Sequence, residues 1–414
     1  MTDVLIIGAG PAGSTSAAFL VQRGFDVLVL EKQKFPRFSI GESLLPQSMQ
    51  MIEKAGMKEA VLSAGFQYKN GASFVYSGKH YEFNFAMKST PGYEWIFEVP
   101  RADFDHLLIN EAERMGAKVR YEVEIVKAEF PDGKPVITAK TKDGKTEVHK
   151  PKFVFDASGF GRVLPKLLDL ETPSTQPPRY AWFTQVYDNI APGAFDRQKI
   201  RVTIHPKHRD IWYWLIPFSN GKSSMGVVGP EELLKSYKGT NEERLWTLHR
   251  EDPTLGDLLK NAKPAMPVGE LRGYSANVKK MWGPGFVLLG NAAEFLDPVF
   301  SSGVCIAMKS ADLATDCLAR QFKGEAVNWD KEFAEPLKLG VETFRGFVDT
   351  WYSGDLADIF FHHKKDPKLL RYICSVLAGY AWDTSNPYVG KSRQRLVALA
   401  HACRTNPEPA TAAA

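Results

Sequence analysis

Between Val4 and Glu31 the chain carries the pattern that most restricts its fold. A short apolar run, Val4-Leu5-Ile6-Ile7, passes directly into Gly8-Ala9-Gly10-Pro11-Ala12-Gly13. Ser14 to Arg23 then reads as an Ala-rich helix stopped by Gly24, and a second apolar run, Val27 to Leu30, ends in Glu31. The order is strand, tight turn, helix, strand. Gly8 permits the turn, Gly10 lets a pyrophosphate approach the backbone with no Cβ in the way, and Gly13 lets the helix lie close on the strand. The helix start then offers free N–H groups and a partial positive charge. Glu31 stands 18 residues beyond Gly13, near the ~20-residue offset of an acid that reaches a ribose hydroxyl. Glycines alone would also suit a connector in an unrelated α/β fold. The two strands, the helix and the acid together point to a dinucleotide site.

That unit is a small part of 414 residues, and the length suggests roughly two to three structural units, interleaved as in many large α/β enzymes. Lys+Arg 52 against Asp+Glu 48 leaves a net charge of +4 with no long basic run, so the chain offers no footprint for nucleic acid. Cys305, Cys317, Cys374 and Cys403 are widely spaced and form no CxxC, which argues against a zinc site and against a disulfide framework. No basic leader precedes Val4 and no uncharged stretch approaches the ~18 residues of a membrane span. The expectation is a soluble, unprocessed, cytoplasmic protein without metal.

Beyond Phe66 the pattern changes to alternating aromatic and polar residues, as in Tyr81-Glu82-Phe83-Asn84-Phe85, which reads as sheet up to Phe97. Ala102 to Met115 reads as a helix ended by Gly116, Lys118 to Ile125 as a strand, and Phe153 to Asp156 as a buried strand leading into Ala157-Ser158-Gly159. Tyr180 to Val228 is again strand-rich. Gly285 to Gly290 returns as a strand, Val304 to Arg320 as a helix, and Phe344, Phe347, Trp351 and Tyr352 recur at helical spacing. The expected organisation is a discontinuous nucleotide domain (1–65, 96–175 and 270–325), a sheet domain (66–95 and 176–269), a C-terminal helical unit (326–404) and a disordered tail (405–414).

Taken in order, Gly8-x-Gly10-x-x-Gly13 with Glu31, Arg101 ahead of a helix, Asp156-Ala157-Ser158-Gly159, and Gly290-Asn291 running to Asp297-Pro298 resemble the FAD-dependent monooxygenase-like proteins over about residues 1–320. Within that superfamily, three segments resemble the flavin-dependent halogenases. They are Arg37-Phe38-Ser39-Ile40-Gly41-Glu42-Ser43-Leu44-Leu45-Pro46, then Phe66-Gln67-Tyr68-Lys69-Asn70-Gly71-Ala72, and Trp212-Tyr213-Trp214-Leu215-Ile216-Pro217, a full match to WxWxIP. The resemblance implies an α/β, Rossmann-like FAD-binding domain of p-hydroxybenzoate hydroxylase type, with an inserted, mostly antiparallel sheet domain and C-terminal helices. It implies FAD contacts from Gly8, Gly10, Pro11, Ala12, Gly13, Glu31, Lys32, Arg37, Ser43, Arg101, Ile125, Asp156, Gly159, Gly290, Asn291, Asp297, Pro298 and Gly303. The family usually carries Asp where Asn291 stands, so a ribityl contact there would run through an amide.

The implied chemistry is specific. Reduced FAD and O2 give a flavin hydroperoxide, chloride or bromide attacks it, and the hypohalous acid passes along a tunnel to a lysine beside the organic substrate. Lys69 stands at that lysine's position. An ammonium could hydrogen-bond hypohalous acid and polarise it, or a neutral amine could be chlorinated. The bland reading of Lys69 is a surface lysine at a Lys-Asn-Gly hairpin tip. Trp212 and Trp214, two apart on a strand, share a face. The resemblance makes that face a wall keeping organic substrate from the flavin; the alternative is plain core packing. Ser302 and Gly303, at the start of a helix, are the candidate halide site, or else an ordinary helix cap.

Ser301-Ser302-Gly303-Val304 lacks the Ser-x-x-Glu of halogenases acting on free tryptophan, which points to a phenolic or pyrrolic aromatic substrate, free or carrier-protein bound. With one dinucleotide fingerprint, reduction would come from a separate flavin reductase or from NAD(P)H. The competing functions are an FAD-dependent aromatic hydroxylase, a geranylgeranyl-reductase-like flavoprotein, and a flavin-binding protein without catalysis. His362-His363-Lys364-Lys365 reads as a solvated charge run on a helix, and Cys305 as a buried structural thiol.

Overall fold

The computed structural model describes residues 2–174, 176–273 and 277–405. The chain divides into two compact units: Met1–Phe66, Val99–Pro177 and Tyr274–Lys338 form one, and Gln67–Glu98, Pro178–Gly273 and Leu339–Ala414 the other.

In the first unit Val4–Ile7, Val27–Glu31 and Phe153–Asp156 are fully buried strands at the centre of a six-stranded sheet. Its order is Trp282–Gly283, Phe286–Leu288, Phe153–Asp156, Val4–Ile7, Val27–Glu31, Lys118–Tyr121. All neighbours run parallel except the short Trp282–Gly283 edge. Continuous apolar runs suit strands covered on both faces. The helix Pro11–Val21 opens with Pro at its first turn, where the missing N–H costs nothing. It packs against the long helix Ser302–Phe322 and against Arg101–Arg114.

The strand expected over Lys118–Ile125 is two strands in two sheets. Glu122 sits at φ +60, which ends Lys118–Tyr121 and redirects Val123–Glu129 into an antiparallel three-stranded sheet with Val136–Thr141 and Thr146–His149. One residue in the left-handed region is enough to break the ladder, and nothing in the alternation of Lys118 to Ile125 announces it.

The second unit is built on an eight-stranded sheet in which Gly71–Tyr76, Lys199–Ile204, Trp212–Pro217, Lys222–Gly229 and Tyr180–Tyr187 are successive neighbours. Only Lys199–Ile204 with Gly71–Tyr76 is parallel among these. One sheet face, including Tyr180, Trp182, Tyr213, Leu215, Met225 and Val227, packs with Leu245, Leu248 and Leu255 of two following helices into a single apolar core. The helices from Leu339 onward belong to this unit rather than forming a third body. Thr405 ends the last helix, Ser392–Thr405, and the rest of the expected tail lies outside the described residues.

Candidate active site

The glycine turn forms an open backbone cradle at the start of the helix Pro11–Val21. Gly8 is at φ +96, and a Cβ on it would meet the Ala157 carbonyl oxygen at 2.6 Å. A Cβ on Gly13 would lie 2.0 Å from the Gly8 carbonyl oxygen, so helix and strand lie as close as backbone permits. Above Gly10 the space is open: a Cβ there would meet only Nη2 of Arg37, at 3.5 Å. No side chain caps the N-terminus of Pro11–Val21 among the described residues, so its first N–H groups face an opening lined by a guanidinium. Ala12 is buried in that first turn.

Glu31 closes the cradle. Its carboxylate accepts from Ala9 N–H at 2.9 Å and from Gln33 N–H at 2.8 Å, which leaves lone pairs for ribose hydroxyls. These donors, the cation and the acid fit the pyrophosphate and ribose of FAD. Arg37 and Arg101 are held by one buried acid: Asp105 accepts Arg37 Nη1 at 2.8 Å and a bidentate pair from Arg101 at 2.8 and 2.9 Å. Arg101 also donates to the Ile40 carbonyl at 2.7 Å, fixing the segment that leads to buried Ser43. Asp105 was not among the residues expected from sequence; Arg101 to Asp105 at helical i,i+4 spacing was the available signal.

Asp156, fully buried, spends its carboxylate on Ser158 N–H and Leu164 N–H, shaping the loop through Gly159, which is at φ +57. Burial raises its pKa. Gly290, at φ +50, lets the chain pass Ala307, which a Cβ would meet at 2.9 Å. The next residue, Asn291, has its Oδ1 only 3.9 Å from where a Gly303 Cβ would stand, so the amide and the helix start are neighbours. Asp297 accepts from Val299 N–H across Pro298. Ser301 takes a left-handed conformation and Ser302, buried, is the first helical residue. No side chain caps this 21-residue helix among the described residues, so the ordinary Ser cap is not what is built. Its N–H groups suit an anion. Lys32 instead pairs with Glu124 at 2.6 Å on the surface, and Ile125 is a buried residue of the three-stranded sheet.

In the second unit Lys69 is 1 % exposed. Lys-Asn-Gly is not a hairpin tip. Gln67–Lys69 pairs antiparallel with Ile96–Glu98, after which the chain crosses into Gly71–Tyr76 of the large sheet. The crossing is pinned by Asn70 N–H on the Gln198 carbonyl at 2.8 Å and requires Gly71, whose Cβ would lie 2.1 Å from the Phe83 carbonyl oxygen. Burial pulls the Lys69 pKa down to about 8, partly opposed by the nearby Glu98 carboxyl. Its Nζ lies 5.4 Å from the Phe85 ring centroid.

Trp212 and Trp214 share one face, ring centroids 5.9 Å apart, opposite Tyr213 and Leu215. Each indole N–H has an acceptor, Tyr352 Oη at 3.0 Å and Ser224 Oγ at 3.1 Å. The Trp214 ring crosses close to Gly226, its cross-strand partner, where a Cβ would stand 2.3 Å from the ring. Gly226 is a second residue that sequence reasoning missed; a lone Gly inside a strand pattern was the cue. Cys305 is a buried thiol outside any disulfide that donates to Gln47 Oε1 at 3.7 Å, its pKa pushed up to about 12 by burial. His362 and His363 lie in a loop rather than on a helix, with their rings 4.4 Å apart. Among the described residues no group of His, Cys, Asp and Glu could hold a metal, and no helix is long and apolar enough to cross a membrane.

Comparison with known proteins shows an FAD-binding domain. Residues 1–332 match the family model described as FAD binding domain. A chlorinase of 1H-pyrrole-2-carbonyl-peptidyl-carrier protein from Pseudomonas fluorescens is 30% identical over 401 residues, covering 91% of this chain and 89% of that protein. A tryptophan 2-halogenase from Chondromyces crocatus is 33% identical over 78% of this chain and 62% of its own length. Among solved structures, a flavoprotein/dehydrogenase from Cytophaga hutchinsonii superposes with a TM-score of 0.95 at 41% identity over 98% of this chain and 99% of that one. The flavin-dependent brominase Bmp2 does so with a TM-score of 0.83 at 25% identity, over 98% and 99%. The FAD cradle and these matches, which run nearly the whole length of both a halogenase sequence and a halogenase structure, place the chain in the family of flavin-dependent halogenases.

Proposed function

We propose that this halogenase acts on an electron-rich pyrrolic or phenolic ring and that the Lys69 amine confines the oxidised halogen beside it. The observation that supports this reading is the burial of Lys69. A lysine at a hairpin tip would be solvated, whereas this one is withdrawn from water on a short strand, where desolvation brings its pKa to about 8. Near neutral pH such a group supplies an ammonium that can donate to hypohalous acid, and just above it a neutral amine that can attack halogen.

Bound FAD, once reduced, would supply two of the four electrons that O2 takes up, chloride or bromide giving up the other two as it is oxidised. This chain's residues do the rest. Gly8, Gly10 and Gly13 seat the pyrophosphate, Glu31 the ribose, and the uncapped helix start at Ser302 and Gly303 attracts the halide. Trp212 and Trp214 present an apolar wall with both indole N–H groups already used, so that no polar edge competes for the oxidant.

The substrate class is supported by length. The pyrrolyl chlorinase is matched over nearly all of both chains, the tryptophan halogenase over 62% of its own. That favours a ring presented on a carrier protein. A single dinucleotide fingerprint supports reduction by a separate flavin reductase, and four cysteines outside any disulfide suit a reducing compartment such as the cytoplasm. The test is a single turnover of photoreduced holoenzyme with O2, with and without bromide, offered phenols and a pyrrolyl carrier thioester. Bromide-dependent ring halogenation supports the proposal; hydroxylated product, or none, overturns it.

A further inference from the structure

Lys69 shares its strand ladder with a buried acid. In the antiparallel pairing of Gln67–Lys69 with Ile96–Glu98, Lys69 is opposite Ile96 and Gln67 opposite Glu98. Side chains alternate along a strand, so Ile96 and Glu98 face the same way, and Lys69 and Glu98 are diagonal neighbours on one face. Glu98 is 0 % exposed, and neither of its carboxylate oxygens receives a hydrogen bond from any described group. A carboxylate so placed is expensive, since burial of an ionised group costs several kcal/mol unless it is paired or neutralised. A structural role as a cap or turn acid would show donors around it, as Asp156 and Asp105 do.

We propose that Glu98 is a positioning residue for Lys69, the alternative seat of the amine's proton, so that the lysine switches between ammonium and neutral amine without any change in net charge. In the step an N–H bond of the Lys69 ammonium breaks with its electron pair left on nitrogen, an intervening water takes that proton and passes one of its own on, and an O–H bond forms on Glu98; the reverse restores the ammonium. Both states of the pair are neutral overall. That is what makes the exchange cheap in a site that tolerates no isolated charge.

The surroundings agree. Burial raises the Glu98 pKa well above the carboxylate range, and the Lys69 ammonium and Arg197 oppose that rise while Asp196 adds to it. Arg197 is itself held by Asp188 at 2.9 Å, and Asp196 by Lys199, so neither replaces the partner across the ladder. The Phe85 ring beside Nζ favours the ammonium modestly.

The proposal rests on the reading of Lys69 given above, and two measurements separate their fates. The first is the pH profile of halogenation by holoenzyme carrying Glu98→Gln or Glu98→Asp. Glu98→Gln removes the anion that supports the ammonium, so the ionisation belonging to Lys69 moves to lower pH by about one unit or more, a roughly tenfold change in rate at a fixed pH on that limb. FAD affinity and halide KM stay put, and Glu98→Asp returns part of the profile. A uniform loss with no shift of the profile would mean a merely structural acid and overturn the proposal. The second needs no activity: the infrared carbonyl band of protonated Glu98 is titrated in the otherwise wild-type enzyme and in Lys69→Met. With the ammonium gone the band survives to higher pH. The same midpoint in both proteins overturns the coupling even if Glu98→Gln fails to fold. Wild-type enzyme that shows the infrared coupling but no halogenation overturns the proposed function and leaves the pair standing.

Discussion

The indole N–H of Trp212 donates to the hydroxyl of Tyr352 at 3.0 Å, joining the tryptophan strand to the helix Glu335–Tyr352 across 140 residues of chain. Arg179 lies over the same tyrosine ring, its Cζ 3.9 Å from the centroid. Tyr352→Phe keeps the ring under Arg179 and removes the hydroxyl that accepts from Trp212. The expected cost is about 1 kcal/mol, read as a fall of about 1–2 °C in Tm. A second effect follows if Trp212 screens the oxidant: more hydrogen peroxide released per halogenated product. An unchanged product ratio would reduce the contact to packing.

The cradle predicts a loss of cofactor rather than of fold. Gly13→Ala would put a methyl group 2.0 Å from the Gly8 carbonyl oxygen. Helix and strand must separate, at about 1–3 kcal/mol, and the N–H groups leave the phosphate position. FAD affinity should weaken by roughly tenfold or more in a fluorescence titration, while far-ultraviolet circular dichroism is retained. Wild-type affinity would show that the helix start does not hold the pyrophosphate.

Lys69→Ala separates the two halves of the reaction. Halogenation should fall by roughly 100-fold or more, while FAD binding and O2-driven reoxidation of the reduced flavin persist, since neither uses the amine. Halogenation close to the wild-type rate would remove Lys69 from the mechanism.

Acid stability should report His249, which is fully buried beneath Tyr213 with its Nδ1 2.7 Å from the Leu245 carbonyl oxygen. Burial lowers its pKa from 6.5 to about 4. Below pH ~6.5 the unfolded chain takes up a proton that the native state refuses, so stability falls as the pH drops toward 4. The loss from this group amounts to about 3 kcal/mol across that window. Denaturant midpoints measured from pH 7 to 4 should fall less steeply in His249→Gln. An identical slope would place the acid sensitivity elsewhere.

The nucleotide unit was legible because its signals are local. Gly8, Gly10 and Gly13 act through backbone sterics within six residues, Pro11 starts the helix that they precede, and Glu31 ends the adjacent strand; each can be read from neighbours in sequence. Tryptophans two apart must share a face, and Trp212 and Trp214 do. What failed also failed locally: nothing in Lys118 to Ile125 marks the left-handed Glu122 that divides the strand between two sheets.

The remaining features are decided by strand register and packing over long separations, which no window of sequence contains. Lys69 and Glu98 are 29 residues apart and meet because one strand pairs with another in one register; a slip of a single residue would turn Glu98 to the other face. Gly226 matters because Trp214 pairs with it, and Asp105 because Arg37 folds back onto the helix that carries Arg101. Burial works the same way: the composition of the Lys69 segment suits a solvated turn as well as a strand, and only the assembled second unit removes water from the amine and moves its pKa. Residue types and local backbone chemistry determined the cofactor and the family of reactions. Tertiary structure alone decided which lysine loses its water and which acid stands beside it, because desolvation and charge pairing depend on where the chain returns rather than on what lies next along it.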